Sequence, residues 1–365
     1  MTEPYKFIDI QATGPGIVVA AFDNQVAYCT ASGATVTARV VAALRDLIAR
    51  GEDGALMERI RDWPGAPLAD ALPLRIAGGI HALHLAGKEP GLAAIYDDRT
   101  GADQPGIDDA AIVAAAIHRH EAALLPWLDG PPQTNEAGRS ANFIAAMLWL
   151  ADQGLPPRFE CLEIGSSAGI NLMLARYHYD LAGVQVGPEP GAIQFEPEWQ
   201  GNPPPNHAIQ IVSAKGCDVA PVDLTDPIQA LRLKAYIWPE HAVRFGRLEA
   251  AVAEAHKAPP EIVRMNAADF VEGELARPQS VGTTRVVMHS VVWQYVPADQ
   301  QARVTAAMEA AGAKATSERP LAWISLESNR LLHIHETVVR FWPGGDEPVQ
   351  IAQAHPHGAS IIWKV

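Results

Sequence analysis

Residues 159–177 read FECLEIGSSAGINLMLARY. Glu163 closes an apolar run, Gly165 and Gly169 bracket a turn, and an amphipathic run follows. Strand, glycine turn and helix together can hold a charged ligand, because backbone N–H groups converge at a helix N-terminus. Three chemistries use that arrangement. A dinucleotide site wants G-x-G-x-x-G, whose second glycine lets a pyrophosphate approach the backbone. Counted from Gly165, the second and third glycine positions hold Ser167 and Ile170, so the match is poor. A nucleophile elbow wants G-x-S-x-G. GSSAG places Ser167 as the nucleophile, with Asp269 and then His355 or His357 downstream in α/β-hydrolase order. Against this, an elbow comes after several sheet strands, and Glu163 has no task in that mechanism. The third chemistry is binding of S-adenosylmethionine, whose methionine part carries no pyrophosphate, so that Ser167 is tolerable and the acid is used.

Elements must position these residues. Up to about residue 130 the chain reads as helical and Ala-rich. TVTARVVAALRDLIAR sets Val36, Val40, Leu44, Leu47 and Ile48 on one face. Asp108 is a candidate N-cap for a helix ending near Pro126, and NFIAAMLWLADQG is a helix stopped by Gly154 and Pro156. From residue 159 short apolar strand candidates alternate with helices: FECLEI, AIQIVS, EIVRM, RVVMHS and LAWISLE. Between them, Asp226 and Pro227 open one helix, and Gly312 closes another. Alternation of this kind predicts a parallel sheet covered on both faces. TVVRFW and SIIWKV, with no helical pattern between them, predict a closing antiparallel pair. The expected architecture is an α/β, Rossmann-like sheet of seven mostly parallel strands with the last antiparallel. A helical N-terminal domain with a lid or linker over residues 1–157 precedes an α/β domain over 158–365.

This plan resembles that of class I S-adenosylmethionine methyltransferases, in which the first strand ends in an acid followed by G-x-x-x-G or G-x-G-x-G. The chain also resembles the bacterial domain of unknown function 2332 family, which has a methyltransferase-like core. That resemblance rests on QTNEAGRS (133–140), LEIGSSAGINLMLARYHYD (162–180), GCDVAPVD (216–223), RLKAYIWPE (232–240), HSVVWQYVP (289–297), HETVVRFWPGG (335–345) and HPHG near the end. It implies S-adenosylmethionine as cofactor, held by Glu163, Gly165, Ser166, Ser167, Gly169 and Asn171. An acid after the second strand would hold the ribose hydroxyls. Asp218 fills that place, although a Pro/Gly-rich insertion delays it well beyond the usual spacing. Asp269, in NAADF after the third strand candidate, would meet the adenine amino group, with a helix N-cap as the alternative role.

His289 ends the fourth strand candidate, with Ser290, Trp293, Gln294 and Tyr295 just beyond. Histidine suits proton removal near neutral pH, so His289, with Tyr295 beside it, is the catalytic expectation. Asn135, Glu136 and Arg139, in QTNEAGRS, are candidates for a lid or substrate contact. The pairs His333/His335 and His355/His357 lack a third ligand, and no metal is expected.

Composition sets the remaining bounds. A formal net charge of −14 without clustered Lys and Arg argues against nucleic acid. No run approaches the roughly 18 apolar residues of a membrane span, so no membrane partner is expected. MTEPYKFIDIQATGPG lacks a basic segment followed by an apolar one, and the three cysteines form no framework. A cytoplasmic protein is expected, acting as a methyltransferase on a small molecule. The alternatives are a non-catalytic, methyltransferase-like ligand-binding protein and a serine hydrolase using Ser167.

Overall fold

The computed structural model describes residues 9–14, 16–97, 108–329, 332 and 334–365. These form two compact units. One takes the described residues up to Thr134 together with Pro227–Gly246, and the other takes Asn135–Asp226 with Arg247–Val365. Of the expected histidine pairs, His333 lies outside the described residues.

The first unit is helical. In Thr35–Ala49 the side chains of Val36, Val40, Leu44, Leu47 and Ile48 are all buried, the stripe that the 3.6-residue period predicts. The start of this helix is satisfied by Glu240, whose carboxylate accepts from the Thr37 N–H (3.0 Å) and hydroxyl (2.9 Å). The WPE segment is therefore a helix cap supplied from a distant part of the chain. Asp108 caps the helix Asp109–Leu124 by accepting from Ala111 N–H.

The second unit carries the strands. In chain order they are β1 (Arg158–Ile164), β2 (His178–Leu181), β3 (Val184–Val186), β4 (Gln194–Phe195), β5 (Glu198–Gln200), β6 (Gln210–Asp218), β7 (Glu261–Arg264), β8 (Thr284–Ser290), β9 (Leu321–Asn329), β10 (Ile334–Trp342), β11 (Gly345–Ala354) and β12 (Ser360–Trp363). Among the described residues the large sheet has nine strands in the order β5-β12-β11-β10-β9-β8-β1-β6-β7. The block β7-β6-β1-β8-β9 is parallel throughout. β10, β11 and β12 add as antiparallel neighbours, and β5 closes the edge parallel to β12.

The architecture is thus mixed α/β with a large, mostly parallel sheet and N-terminal helices, but three details differ from expectation. The sheet has nine strands rather than seven, because β11 and β5 join it. β11 (GDEPVQIAQA) opens on Gly, Asp, Glu and Pro and then carries Gln350 and Gln353, so that it has no long apolar run and read as loop. β10 follows β9 directly and runs antiparallel to it, and β10 and β12, expected to pair with each other, are separated by β11 and run in the same direction. The segment after the glycine turn is a short 3-10 helix, Ile170–Arg176, and not a long α-helix. Within the Pro/Gly-rich insertion, β3 and β4 pair with the preceding β2 as a separate sheet, while β5 joins the large one.

Each face of the large sheet has its own cover. Helix Ser140–Asp152 is apolar all round and buried from Ser140 to Leu150, as a core helix must be. It is tied to β10 where Thr337 Oγ1 donates to Asn142 Oδ1 (3.2 Å). On the opposite face Phe270, Val271, Val304 and Met308, from helices Ala267–Leu275 and Ala298–Gly312, pack on Leu162, Ile164, Val287 and Leu321.

Candidate functional site

Strand order reverses between β1 and β8: the chain proceeds from β1 outward through β6 and β7, then returns to β8 and β9 on the other side. In open α/β sheets, ligands bind outside the carboxyl ends of the strands at such a switch point. Two turns meet there, Gly165–Gly169 after β1 and Val291–Tyr295 after β8.

The first turn is held from beneath. Ser166 N–H donates to Cys217 O (2.9 Å), and Ser166 Oγ donates to Glu163 O (3.1 Å). Gly216, beside Glu163 in the sheet, leaves room for that hydroxyl; a Cβ there would overlap Ser166 Oγ. Asp218, at the end of β6, accepts from Ser167 N–H (2.8 Å) through Oδ2 and from Ala220 N–H (2.8 Å) through Oδ1. Ser167 itself sits at φ 52, in the left-handed region. Gly165 (φ 68) packs against the side chain of Val292, and Gly169 (φ 69) against Pro260 and Ile262.

Glu163 is 1% exposed. One carboxylate oxygen accepts from Asn171 Nδ2 (3.2 Å), while the other is buried without a partner. Burial pushes its pKa up to about 7, against the opposing pull of Asn171, Ser166 and Arg139. Asn171 Oδ1 and Ser167 Oγ are likewise buried and unpartnered. Among the described residues no histidine bonds to that hydroxyl, so no serine–histidine pair is assembled there. Buried polar atoms without partners are uncommon, and three of them lie in or beside this turn.

The second turn is built around an acid that the sequence reading passed over. Glu327 Oε1, near the end of β9, accepts from Val292 N–H (3.2 Å) and Trp293 N–H (3.2 Å), and lies 2.7 Å from His289 Nδ1. A carboxylate can only accept, so Nδ1 carries the proton and, in the neutral ring, Nε2 is left as the acceptor. That Nε2 is buried and has no partner. His289 is 2% exposed and stacks on Trp293, with centroids 4.9 Å apart. Val291 adopts φ 52, which a β-branched residue rarely does.

The expected site residues do not all converge. Register pairs Glu163 with Gly216 and Met288, but Ile164 with Cys217 and His289. Glu163 and His289 therefore project to opposite faces of the sheet. Tyr295 is 73% exposed. Asp269 lies in the first turn of helix Ala267–Leu275, engaged by Arg303 (2.7 Å) and by its capping neighbour Asn266. These contacts hold its pKa below the usual carboxylate range.

Asn135, Glu136 and Arg139 belong to the wall beside the first turn. Asn135 Oδ1 accepts from Ile170 N–H (3.1 Å), at the start of the 3-10 helix. Arg139, 4% exposed, donates to Pro356 O (2.8 Å) and Ser290 O (3.4 Å). Glu136 is buried near His357 (3.6 Å). Gly138 and Gly358 pack backbone on backbone, so HPHG docks on EAGRS. Among the described residues, no three His, Cys, Asp or Glu side chains are grouped as a metal site would need.

The family model described as uncharacterized protein conserved in bacteria, domain of unknown function 2332, matches residues 19–363. The chain belongs to this family. The match takes in both turns, the Glu163 and His289 positions, and Glu327. No curated protein and no solved structure matches the chain. Among the described residues, no helix is long and apolar enough to cross a membrane.

Proposed function

We propose that this protein is an S-adenosylmethionine-dependent methyltransferase acting on a small molecule. The observation that carries the reading is the buried, half-satisfied carboxylate of Glu163, which ends the central strand beside a glycine turn at the switch point. A buried charge costs free energy unless it is paired. A cationic ammonium group is the partner that would satisfy Glu163 Oε2, and the amino-acid end of S-adenosylmethionine carries one. The residues present fit that cofactor. Glu163 and Asn171 would hold its amino-acid end, and Asp218 lies at the end of the neighbouring strand, where ribose hydroxyls would be held. Each Asp218 oxygen accepts one N–H and keeps a further lone pair for a hydroxyl.

When bound, the cofactor supplies an activated methyl group and its sulfur leaving group. The chain's part is alignment and proton handling. Gly165–Gly169 and the wall of Asn135, Glu136 and Arg139 fix the turn, and fixed geometry can account for about 7–11 kcal/mol of a transfer barrier. His289 Nε2, oriented through Glu327, accepts the acceptor's proton. Isothermal titration of the whole chain with S-adenosylmethionine and S-adenosylhomocysteine tests the reading. Saturable binding of both, lost in Glu163→Ala, is expected. A folded protein that binds neither would overturn it.

A further inference from the structure

A cavity of about 260 Å³ opens beside the second turn, on the face of the sheet opposite Glu163. Trp293, Trp323, Ser325, Glu327 and Val338 are among the residues that line it. Trp293 and Trp323 are half-buried and meet edge to face, with centroids 5.6 Å apart. The Glu327 side chain is 20% exposed. Its Oε1 is taken up by the Val292 and Trp293 N–H groups and the His289 ring. Its Oε2 has no partner among the described residues and, unlike Glu163 Oε2, is not shut off from solvent.

Charge is unbalanced at this end of the cavity. Register pairs Glu327 with Glu336 on β10. Directly opposite residues share a face of the sheet with Cβ atoms about 5 Å apart, and like charges so placed are unfavourable. Glu336 accepts from two neutral amides, Asn329 Nδ2 (3.1 Å) and Gln350 Nε2 (3.0 Å). Among the described residues, no lysine or arginine pairs with either acid. Arg340 also lines the cavity, but register sets it opposite Trp323, at the far end. That is about 13 Å along β10 from Glu336, at the usual rise of a strand. Its charge is matched there by Glu309 (2.6 Å).

We infer that this cavity binds a primary ammonium ion carried on a compact apolar body. An ammonium N–H donates to the open Glu327 Oε2 as a charge-assisted hydrogen bond, the stronger kind, and its charge offsets the pair of acids. A quaternary ammonium has no N–H to give that oxygen. Indole rings attract cations over their faces and also pack well on apolar groups, so Trp293 and Trp323 suit both parts of such a molecule. Size agrees: a dry cavity of about 150 Å³ holds one benzene ring, and drug-sized ligands occupy about 300 Å³ or more. One ring with a short aminoalkyl arm fits between those limits. A carboxylate or phosphate would meet Glu327 and Glu336 instead of a free cation. The inference goes beyond the function proposed above and does not rest on it, because Glu163 belongs to the other face of the sheet.

The test uses the whole chain without any methyl donor. Benzylamine, which is an ammonium ion near neutral pH, is titrated calorimetrically beside its neutral and anionic counterparts, benzyl alcohol and benzoate. Nuclear magnetic resonance locates what binds. Benzylammonium should bind saturably, shift the indole resonances of Trp293 and Trp323, and bind at least about fivefold more tightly than benzyl alcohol, the size expected for one charged hydrogen bond. Benzoate should not bind there. Glu327→Gln keeps an oxygen for the turn and deletes the charge. It should lower benzylammonium to the level of benzyl alcohol and leave the alcohol within about twofold. Ser325→Lys sets a resident ammonium on the same face, next to Glu327, and should abolish benzylammonium binding. The inference is overturned if folded wild-type protein does not bind benzylammonium, or if the shifts fall away from the two indoles. A preference for the ammonium that survives Glu327→Gln also overturns it. So does undiminished binding in Ser325→Lys, which decides the matter alone where Glu327→Gln does not fold. Titration with S-adenosylmethionine is a separate experiment, so either reading can fail while the other stands.

Discussion

The turns after β1 and β8 are neighbours and are built alike, yet they bury opposite electrostatic problems. Each places a non-glycine residue at φ 52, Ser167 in one and Val291 in the other. Each is held by a carboxylate from the next strand outward, which gathers backbone N–H groups: Asp218 for the first, Glu327 for the second. The difference lies in the side chain that each strand delivers. β1 buries an acid whose one partner is a neutral amide, whereas β8 buries a histidine paired with an acid; each keeps one buried atom unpartnered. Strained backbone persists where surrounding contacts over-determine it, and such places cluster at functional sites. Glu327 thus stabilises the fold and Glu163 works against it. On the function proposed above, Glu163 is the carboxylate kept for a ligand, since sites often give up stability for function.

The contact between the two turns offers the largest effect. Gly165 packs on Val292, and its φ of 68 already disfavours a side chain. Gly165→Val should destabilise the protein by about 4 kcal/mol, from a left-handed backbone penalty of about 1–2 and overpacking of about 1–3. Adding Val292→Ala should return about 1 kcal/mol or more in urea unfolding, because residues in contact are not additive. Strict additivity would mean that the turns are independent.

Glu163→Gln should raise stability, and the gain should depend on pH. The folded state holds this proton up to about pH 7, against 4.5 in the unfolded chain. The native state therefore binds more protons across that window, and wild-type stability falls as pH rises through it. The variant should be more stable by about 3 kcal/mol at pH 8 and about equal to wild type at pH 4. Urea titrations at several pH values measure this, and a pH-independent difference would break the contrast. Glu327→Ala should act in the opposite sense, costing about 2 kcal/mol at neutral pH, because two N–H groups and the imidazole lose their acceptor. Asp218→Ala should cost about 1 kcal/mol, since it strands two N–H groups at a site that water reaches more easily.

The parallel strands were legible in the sequence because strands buried on both faces read as continuous apolar runs, as in RVVMHS and LAWISLE. Glycine and acid placement around Glu163 were legible for the same local reason. β11 was not, because its GDEP opening and scattered glutamines resemble a loop, and two strands of the small sheet were hidden within a Pro/Gly-rich stretch. Glu327 escaped notice because its meaning comes from register: only once β9 lies beside β8 does its carboxylate reach the His289 ring. The same limit applies to Glu163 and His289, whose projection to opposite faces is set by how β1 and β8 align.

Asp269 provides the smallest expected effect and the sharpest check on how far the first turn's ligand extends. Its carboxylate faces Arg303, which also holds Glu272 at 2.6 Å, and both partners are well exposed. Exposed ion pairs of this kind contribute little to stability. Its oxygens already accept from Arg303 and Asn266, so an adenine amino group would have to share a carboxylate that is held toward those partners. Asp269→Asn should therefore leave the urea midpoint unchanged and the affinity for S-adenosylmethionine within about twofold, well below the tenfold that 1.4 kcal/mol represents. Asn266, by contrast, ends the approach from β7 and caps the helix through its side chain, which accepts from Asp269 N–H at 2.9 Å. If Asp269→Asn weakens the cofactor tenfold while the fold stays intact, the ligand reaches past β6 to β7, and Asp269 leaves Arg303 to meet it.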